Sequence, residues 1–369
     1  MISLTQNIEL MSREDARYAN QVVLKKIIIE TATPRLPMPL LTASGALENA
    51  FLVLVTLESE CGLVGHSYLF SPNQSLLPSL VHAANAAFKE VEGHFCVPEQ
   101  LTDHLLAKFR LFGGTGILTM AVASIDMAAW DMLGLAVGKP LYQILGGATQ
   151  HIHCYESSGL GIGSEALVIG QAEHFVNLGN SRMKVRLGYE TVNEEVHLIT
   201  TLQGTLGNQV ELMVDYNQGL SVEQAFARCQ VLDDHGLIWI EEPISAELLE
   251  SASKLTALTK TPIQLGENLW SLTEVQRSLD LNASNYLMPD VAKIGGATQW
   301  LRSAKLATKA GIRVSSHLYP EISMHLLASI DNAHYLEYAD WTKLQFSGHQ
   351  APSYNKVALG DASGIGLYG

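Results

Sequence analysis

Six ionisable residues in the second half of the chain each follow a short apolar run that has the pattern of a strand. Their side chains could act as acids, bases or metal ligands. They are Asp215, Glu241, Glu267, Asp290, His317 and Glu337. Consecutive members are 20 to 27 residues apart, about the length of one strand followed by one helix. Because parallel barrel strands bring their carboxyl ends to one rim, this spacing predicts that the six side chains meet there.

Three of these residues could hold a metal ion. Asp215, Glu241 and Glu267, here called the carboxylate triad, end three consecutive runs. They offer only carboxylate oxygens, the hard ligands that Mg2+ prefers. Taken singly, each acid could instead cap a helix or face solvent. The regular spacing of the whole set favours a magnesium site, with coordination positions of the ion left for water and substrate.

Asp290 and His317 end neighbouring runs, and together they have the chemistry of a general base. A carboxylate that holds one imidazole nitrogen raises the basicity of the ring. The alternative for His317 alone is a hydrogen-bonded core histidine. The Ser-Ser-His sequence beside an acid-lined rim favours the catalytic interpretation.

Two cations enter from another predicted strand. In the stretch MKVRLGYE, Lys184 and Arg186 are two residues apart, so on a strand both side chains leave the same face. They could bind an anionic substrate and transfer protons, or they could merely neutralise the carboxylates.

Eight short apolar runs follow residue 147, and each precedes a longer amphipathic segment. The runs are HIHCYES, SRMKVRLG, ELMVDYN, LIWIEEP, PIQLGEN, NYLMPDV, IRVSSHL and HYLEYAD. This alternation predicts an α/β chain with a closed (β/α)8 barrel of the TIM type in residues 141–340. Strand patterns followed by helical periodicity predict an N-terminal α+β capping domain in residues 1–140. The tail, residues 341–369, is expected to return to the capping domain.

The composition limits the partners and the compartment. The 369 residues are 47% apolar and carry a formal net charge of -14, which argues against nucleic acid or an anionic membrane as a partner. A small anionic substrate remains compatible with local cations or a metal. The four cysteines are far apart, and no secretory signal is visible, so we expect free thiols in the cytoplasm. The apolar run 117–137 contains Asp126 and Asp131, which favours a packed helix over a membrane span.

The motifs around these residues resemble the enolase superfamily and, within it, the mandelate racemase group. The matching segments are KVR, MVDYNQ, WIEEP, LGEN, MPDVAKIGG, SSHLYPEIS and HYLE, with GLVGHSYLF and ASIDMAAWD in the first domain. The resemblance covers nearly the whole chain. It implies a modified (β/α)8 barrel with a capping domain, and commonly a symmetric homo-oligomer.

The resemblance also implies roles for single residues. The carboxylate triad would bind Mg2+, and His317 with Asp290 would exchange a proton with the substrate. Lys184 would contact the substrate carboxylate, and a protonated Glu337 would hydrogen-bond the enediolate. The residues expected to line the substrate pocket are Ser157, Asn217 and Lys293, with Leu40 and Leu47 from the loop 34–50 that should close over the barrel mouth.

This sequence differs from the mandelate racemase pattern at Arg186, where mandelate racemase has a second lysine that acts as a base. Because the pKa of an arginine lies well above that of a lysine, removing its proton near pH 7 costs roughly 8 kcal/mol, against about 4.6 kcal/mol for an ordinary lysine. Arginine therefore favours an acid-sugar dehydratase, in which His317 acts as both base and acid.

The apolar loop favours instead a small, partly hydrophobic 2-hydroxycarboxylate and a mandelate-racemase-like racemase or epimerase. We expect this racemase and keep the dehydratase as the alternative. A barrel that binds an anion or a metal without catalysis is the third interpretation.

Overall fold

An antiparallel sheet covered by helices makes up the first part of the chain. The computed structural model describes residues 10–207, 210–343, 345–346 and 350–367. The sheet has the strand order β1-β4-β5, and a separate hairpin pairs β2 with β3. The strands are β1 Leu24–Ala32, β2 Arg35–Thr42, β3 Gly45–Asn49, β4 Phe51–Ser59 and β5 Val64–Ser71. The helices are α1 Arg13–Ala19, α2 Leu77–Lys89, α3 Pro98–Phe109, α4 Ile117–Val137 and α5 Leu141–Ile144, with 3-10 turns at Gln74–Leu76 and Arg110–Phe112.

Helix α4 accounts for the most apolar run of the sequence. Within the described part of the chain it alone is long and apolar enough to cross a membrane. It packs against β5, α2 and α3, and its Trp130 and Met132 are fully buried. In this structure α4 is the central core helix of the first domain.

Eight parallel strands and the helices between them form the second part of the chain. Their hydrogen-bonded order is β12-β11-β10-β9-β8-β7-β6-β13. The strands are β6 His151–Glu156, β7 Arg182–Arg186, β8 Glu211–Asp215, β9 Ile240–Glu241, β10 Ile263–Leu265, β11 Tyr286–Leu287, β12 Arg313–Val314 and β13 Leu336–Tyr338. The helices are α6 Glu165–Asn177, α7 Val192–Leu206, α8 Val222–Leu232, α9 Leu249–Leu258, α10 Leu272–Asp280, α11 Ala297–Lys309 and α12 Pro320–Ala328.

Backbone hydrogen bonds close this sheet into a barrel. Val314 of β12 donates to Asn332 O at 2.8 Å and accepts from His334 N at 2.8 Å, and Ser316 N donates to Tyr335 O at 3.0 Å. The predicted fold class, a TIM-like barrel with an N-terminal α+β domain, is confirmed.

Local sequence explains where several barrel helices begin. Ser164, Thr191, Ser221 and Ser271 precede α6, α7, α8 and α10, and each hydroxyl accepts a backbone N–H of the first turn. Such caps satisfy donors that have no partner inside a helix. They fix the points at which the chain leaves the barrel rim.

The residues after 340 contact both parts of the molecule. The short strand β14 (Lys356–Ala358) pairs antiparallel with β6. Ile365 N donates to Asp131 Oδ1 of α4 at 2.7 Å, and the Trp341 ring lies 5.0 Å from that of Phe70 in β5. The predicted boundaries at residues 140 and 340 stay a prediction.

Polar contacts between buried groups join the first domain to the barrel. Tyr68 Oη donates to Glu321 Oε2 at 2.7 Å, and the Tyr319 hydroxyl accepts from Phe70 N at 2.9 Å. These contacts tie β5 to the start of α12, next to the rim that carries His317.

Asp126 of α4 makes the most extensive of these contacts. It accepts from Thr102 Oγ1 at 2.5 Å, and from both the amide at 3.0 Å and the hydroxyl at 2.5 Å of Thr298, in the first turn of α11. Burial raises the pKa of Asp126 to about 6 in spite of these donors. Gly296 lies against it with φ +105°, and a Cβ there would stand 2.3 Å from Asp126 Oδ2. Only glycine fits that position.

We predict that Asp126→Ala lowers the free energy of unfolding by about 3 kcal/mol, because the three donors lose a buried acceptor. Urea denaturation monitored by circular dichroism measures the change. The matched control is Asp103→Ala, which removes a 2.6 Å contact to Arg302 from an aspartate that is 49% exposed and should cost under about 1 kcal/mol. Equal effects of the two substitutions would contradict the assignment.

Candidate active site

A cavity of about 560 Å3 lies between the barrel rim and the first domain. Its volume is in the range of small-molecule sites. Most of the side chains singled out from the sequence line it: Leu40, Leu47, Lys184, Arg186, Asp215, Asn217, Glu267, Asp290, Lys293, His317 and Glu337. Glu241 and Ser157 are buried behind this lining.

Lys184 is the cation around which the rim is organised. Its amine contacts Glu241 Oε1, lies 2.8 Å from Glu337 Oε1 and 3.2 Å from Asp215 Oδ2, and is 1% exposed. Burial would lower the pKa of Lys184, but the charges of Glu241, Glu337 and Asp215 outweigh burial and hold the pKa well above its ordinary value. The three carboxylates thus favour the charged form of the amine in this structure.

The carboxylate triad does not converge on one point in this structure. Asp215 and Glu241 share the Lys184 amine, and the other oxygen of Glu241 accepts from Trp239 Nε1 at 2.9 Å and Gln264 Nε2 at 3.2 Å. Glu267 lies 3.1 Å from His317 Nε2 instead. Within residues 10–207, 210–343, 345–346 and 350–367, no three His, Cys, Asp or Glu side chains are arranged to hold a metal ion.

Glu242 belongs to this cluster and was missed by the sequence analysis. It lines the cavity, with one oxygen accepting from Asn268 Nδ2 at 2.7 Å while Oε1 is buried without a hydrogen-bond partner. Its φ of 36° lies in the left-handed region, which a non-glycine residue rarely adopts. The doubled acid in WIEEP was the available signal, but the sequence analysis took only the glutamate that directly ends the apolar run.

The donor chemistry of the rim fits a hard divalent cation. Asn217 holds both oxygens of Asp215, through its amide N–H at 2.7 Å and Nδ2 at 3.0 Å, and its own Oδ1 is buried without a partner. The Asn268 amide bridges Glu242 and Glu267 at 2.7 and 3.1 Å. Carboxylate and amide oxygens left without donors are the ligands that Mg2+ takes.

His317 and Asp290 form the predicted pair. His317 Nδ1 lies 2.6 Å from Asp290 Oδ2, and Asp290 Oδ1 accepts the backbone amides of Ala292 and Lys293, each at 2.8 Å. Burial would lower the pKa of His317, but the charge of Glu267, the hydrogen bond to Asp290 and the charge of Glu337 raise it to about 9. The imidazole is oriented by its carboxylate and has its Nε2 side toward the other rim residues.

Glu337 stands between Lys184 and His317. Its Oε1 accepts from Ser157 Oγ at 2.6 Å, and its Oε2 accepts from Leu318 N at 2.9 Å and lies 4.0 Å from His317 Nε2. Although burial would raise the pKa of Glu337, the charges of Lys184, His317 and Arg186 hold it well below its usual range. These three neighbouring cations favour the carboxylate form in this structure, and the protonated Glu337 that the resemblance implies stays a prediction.

Arg186 is locked in place by main-chain carbonyls. Nη1 donates to Gly159 O at 2.9 Å and Ser157 O at 3.1 Å, and Nη2 donates to Ser157 Oγ at 2.7 Å. The side chain is 4% exposed. Carbonyl oxygens can only accept hydrogen bonds, so this cradle suits a guanidinium, whose nitrogens all act as donors.

Comparison with known proteins agrees with this geometry. Residues 25–146 match the mandelate racemase / muconate lactonizing enzyme N-terminal domain, and residues 168–368 match the enolase C-terminal domain-like family. The chain belongs to the mandelate racemase and muconate lactonizing enzyme family of the enolase superfamily. It is therefore an enzyme of the lyase or isomerase kind.

Three relatives span most of the chain. L-talarate/galactarate dehydratase of Salmonella typhimurium is 27% identical over 353 residues, 94% of this chain and 87% of that enzyme. An enolase from Bradyrhizobium, crystallised with magnesium and mandelic acid, is 33% identical with a TM-score of 0.89, covering 94% of this chain and 96% of that one. L-Talarate dehydratase from Polaromonas sp. JS666, crystallised with Mg and L-glucarate, is 26% identical with a TM-score of 0.86, covering 94% and 95%.

We predict that Lys184→Met lowers the free energy of unfolding by about 3–5 kcal/mol in chelator-treated protein, because it leaves buried carboxylates without their cation. Thermal and urea unfolding measure the loss. The control is Lys260→Met, since Lys260 is 78% exposed and pairs with an exposed Asp234, and such pairs contribute under about 1 kcal/mol. A Lys184 variant as stable as the control would show that the carboxylates do not depend on the amine.

Proposed function

We propose that this enzyme removes the α-proton of a 2-hydroxycarboxylate with the help of Mg2+, and that the reaction is dehydration to a 2-keto acid. The observation that carries the choice is the asymmetry of the rim. His317 is poised for proton transfer by Asp290, whereas Lys184 and Arg186 are held as cations by carboxylates and carbonyls. One base suffices for elimination, while racemisation needs proton transfer on both faces of the carbon.

His317 would act twice in this reaction. In its neutral form Nε2 takes the proton from C2, and Asp290 stabilises the imidazolium that results. The same imidazolium then gives its proton to the hydroxyl that leaves C3 as water. The enol that remains becomes the 2-keto acid by taking a proton from solvent at C3 and releasing the proton of its C2 hydroxyl to solvent.

The residues proposed to hold Mg2+ are those of the carboxylate triad, Asp215, Glu241 and Glu267. The buried oxygens without donors on Glu242 and Asn217 support a cation at this rim, and the Bradyrhizobium and Polaromonas relatives were crystallised with the ion. When bound, Mg2+ would supply positive charge that stabilises the substrate carboxylate as the proton leaves and offsets the carboxylate charge that raises the pKa of His317. Lys184 and Glu337 would lie beside the same substrate end, with Ser157, Asn217 and Lys293 in support.

Curated relatives favour the same reaction. Dehydratases acting on talarate, galactarate and galactonate recur among them. The small carboxylate partner, a cytoplasmic location and a homo-oligomeric state are part of this proposal. The free state of all four cysteines is compatible with that compartment.

Racemisation or epimerisation is the second candidate, as first expected from the sequence. The relative crystallised with mandelic acid favours it, and so do the leucines of the β2–β3 hairpin that line the cavity. It requires Arg186 to exchange a proton, which its carbonyl cradle opposes.

We predict that His317→Asn abolishes α-proton exchange, lowering it at least 1,000-fold, because the base is lost while the carboxylates remain. The measurement is deuterium incorporation at C2 in D2O by NMR, with Mg2+ affinity followed by calorimetry and expected within about threefold of wild type. The control is His197→Asn, a histidine that is 73% exposed on α7. Exchange that survives in His317→Asn would remove that histidine from the mechanism.

A second substitution separates the two reactions. Arg186→Lys replaces a cation whose deprotonation costs roughly 8 kcal/mol by one for which it costs about 4.6 kcal/mol, so a second base becomes accessible. We expect racemisation of the 2-hydroxy acid to rise at least tenfold, and 2-keto acid formation to change less than tenfold. Wild-type enzyme that racemises its substrate faster than this variant would overturn the one-base proposal. Polarimetry and a keto-acid assay on the same reaction give both rates.

A further inference from the structure

The two walls of the cavity differ in chemistry. The barrel wall carries the charged residues already described. The wall from the first domain is made by the β2–β3 hairpin, the end of β5, the residues before α2 and the start of α4. Its large side chains are Leu40, Leu47, Phe70, Leu76, Leu80, Ile117 and Met120. Among the described residues 10–140, none of those that line the cavity is charged.

The hydroxyl groups on this wall are already engaged. Thr42 Oγ1 donates to Gly45 O at 3.2 Å, Ser44 Oγ donates to Asn217 O at 2.9 Å, and Ser71 Oγ donates to Asn73 O at 2.9 Å. Their protons are committed to backbone carbonyls, so these hydroxyls are not available as donors to the hydroxyl groups of a sugar chain. Trp341 Nε1, buried without a hydrogen-bond partner, could satisfy one acceptor but carries no charge.

This wall opposes the ligands of the dehydratase relatives. A second carboxylate, as in an aldarate, would be desolvated against leucine and methionine with no cation to pair with it. A polyhydroxy chain would lose hydrogen bonds to water and find few in return. An apolar group would instead gain from leaving water, in proportion to the surface that it buries.

We propose that the substrate is a 2,3-dihydroxy monocarboxylate whose C3 carries an uncharged alkyl or aryl group, and that this group rests on Leu47, Leu76, Ile117 and Met120, here called the cap subsite. The proposal rests on the function proposed above and names its substrate class. The reaction would be R–CH(OH)–CH(OH)–COO⁻ giving R–CH2–CO–COO⁻ and water. The C2–H and C3–O bonds break, and the C2 proton leaves with the C3 hydroxyl as water. In the enol that remains, C3 gains a proton from solvent and the C2 hydroxyl releases its proton to solvent, which leaves the ketone at C2.

This assignment reconciles two features that point to different reactions. The single base at the barrel rim selects elimination, which requires a hydroxyl at C3. The apolar cap subsite selects the group attached to C3 and has no part in the reaction at C2. A substrate with a polar head and an apolar tail meets both demands.

The test compares three acids with the Mg2+-loaded enzyme: 2,3-dihydroxy-3-phenylpropanoate in all stereoisomers, glycerate and galactarate. They share the head group and differ in the tail, which is apolar, absent or charged. We expect kcat/KM for one phenyl isomer to exceed that for galactarate at least 100-fold and that for glycerate at least tenfold. Deuterium exchange at C2 is measured for each acid alongside 2-keto acid formation.

Variants with a cation in the cap subsite sharpen the comparison. Leu76→Arg is suitable because Leu76 is 41% exposed, and Met120→Arg places the same charge on α4. Each should lower kcat/KM for the phenyl acid at least tenfold and raise it for galactarate. The matched control is Thr115→Arg, which adds the charge on an exposed residue just before α4 that does not line the cavity, and it should leave the ratio unchanged.

The outcomes separate the two proposals. Preference of wild-type enzyme for galactarate, or Leu76→Arg and Met120→Arg variants that both keep the wild-type ratio, would overturn the substrate class while leaving dehydration standing. Absence of both C2 exchange and keto acid with every acid would overturn the proposed function itself, and the substrate class with it.

Discussion

The arrangement of the barrel rim depends on the pairing of buried charges that are shielded from water. Glu241, Glu337 and Asp215 come to the rim because their strands end there, and the buried amine of Lys184 makes their proximity possible. An isolated buried charge costs several kcal/mol, and only an opposite charge with good geometry offsets it. The remaining positions follow this rule as well, since His317 lies between Asp290 and Glu267. The site is thus an electrostatic assembly as much as a catalytic one.

In the proposed function, chemistry and recognition come from different parts of the chain. The barrel would supply one oriented base and a set of fixed charges, which line the same cavity. The first domain supplies a wall whose hydroxyl groups donate to backbone carbonyls. Relatives of similar fold include a talarate/galactarate dehydratase and an enolase crystallised with mandelic acid, and this division allows such different ligands. The rim chemistry can stay constant while the facing wall changes.

Much of this arrangement could be predicted from the sequence, because the pattern of a parallel barrel is local. The rim positions of Asp215, Asp290, His317 and Glu337 follow from the strand that precedes each. The positions of the lining residues Ile117 and Met120 do not follow, because they depend on how two domains meet. The contact between Glu267 and His317 also escaped prediction, since it depends on which charges find partners after folding. Strand bounds were the least certain, and LIWIEEP yields only Ile240–Glu241 as a strand.

The way in which the first domain is attached has a consequence for how new specificities can be built. Asp126 is hydrogen-bonded to Thr298, and Tyr68 to Glu321, so each domain contains half of several buried pairs. A chimera that exchanged the first domain alone would leave buried polar groups without partners at the interface between the two domains. Both members of every pair would have to be exchanged together. Recombination between relatives is therefore constrained more at this domain interface than at the cavity. The apolar residues of the cavity wall could be substituted one at a time.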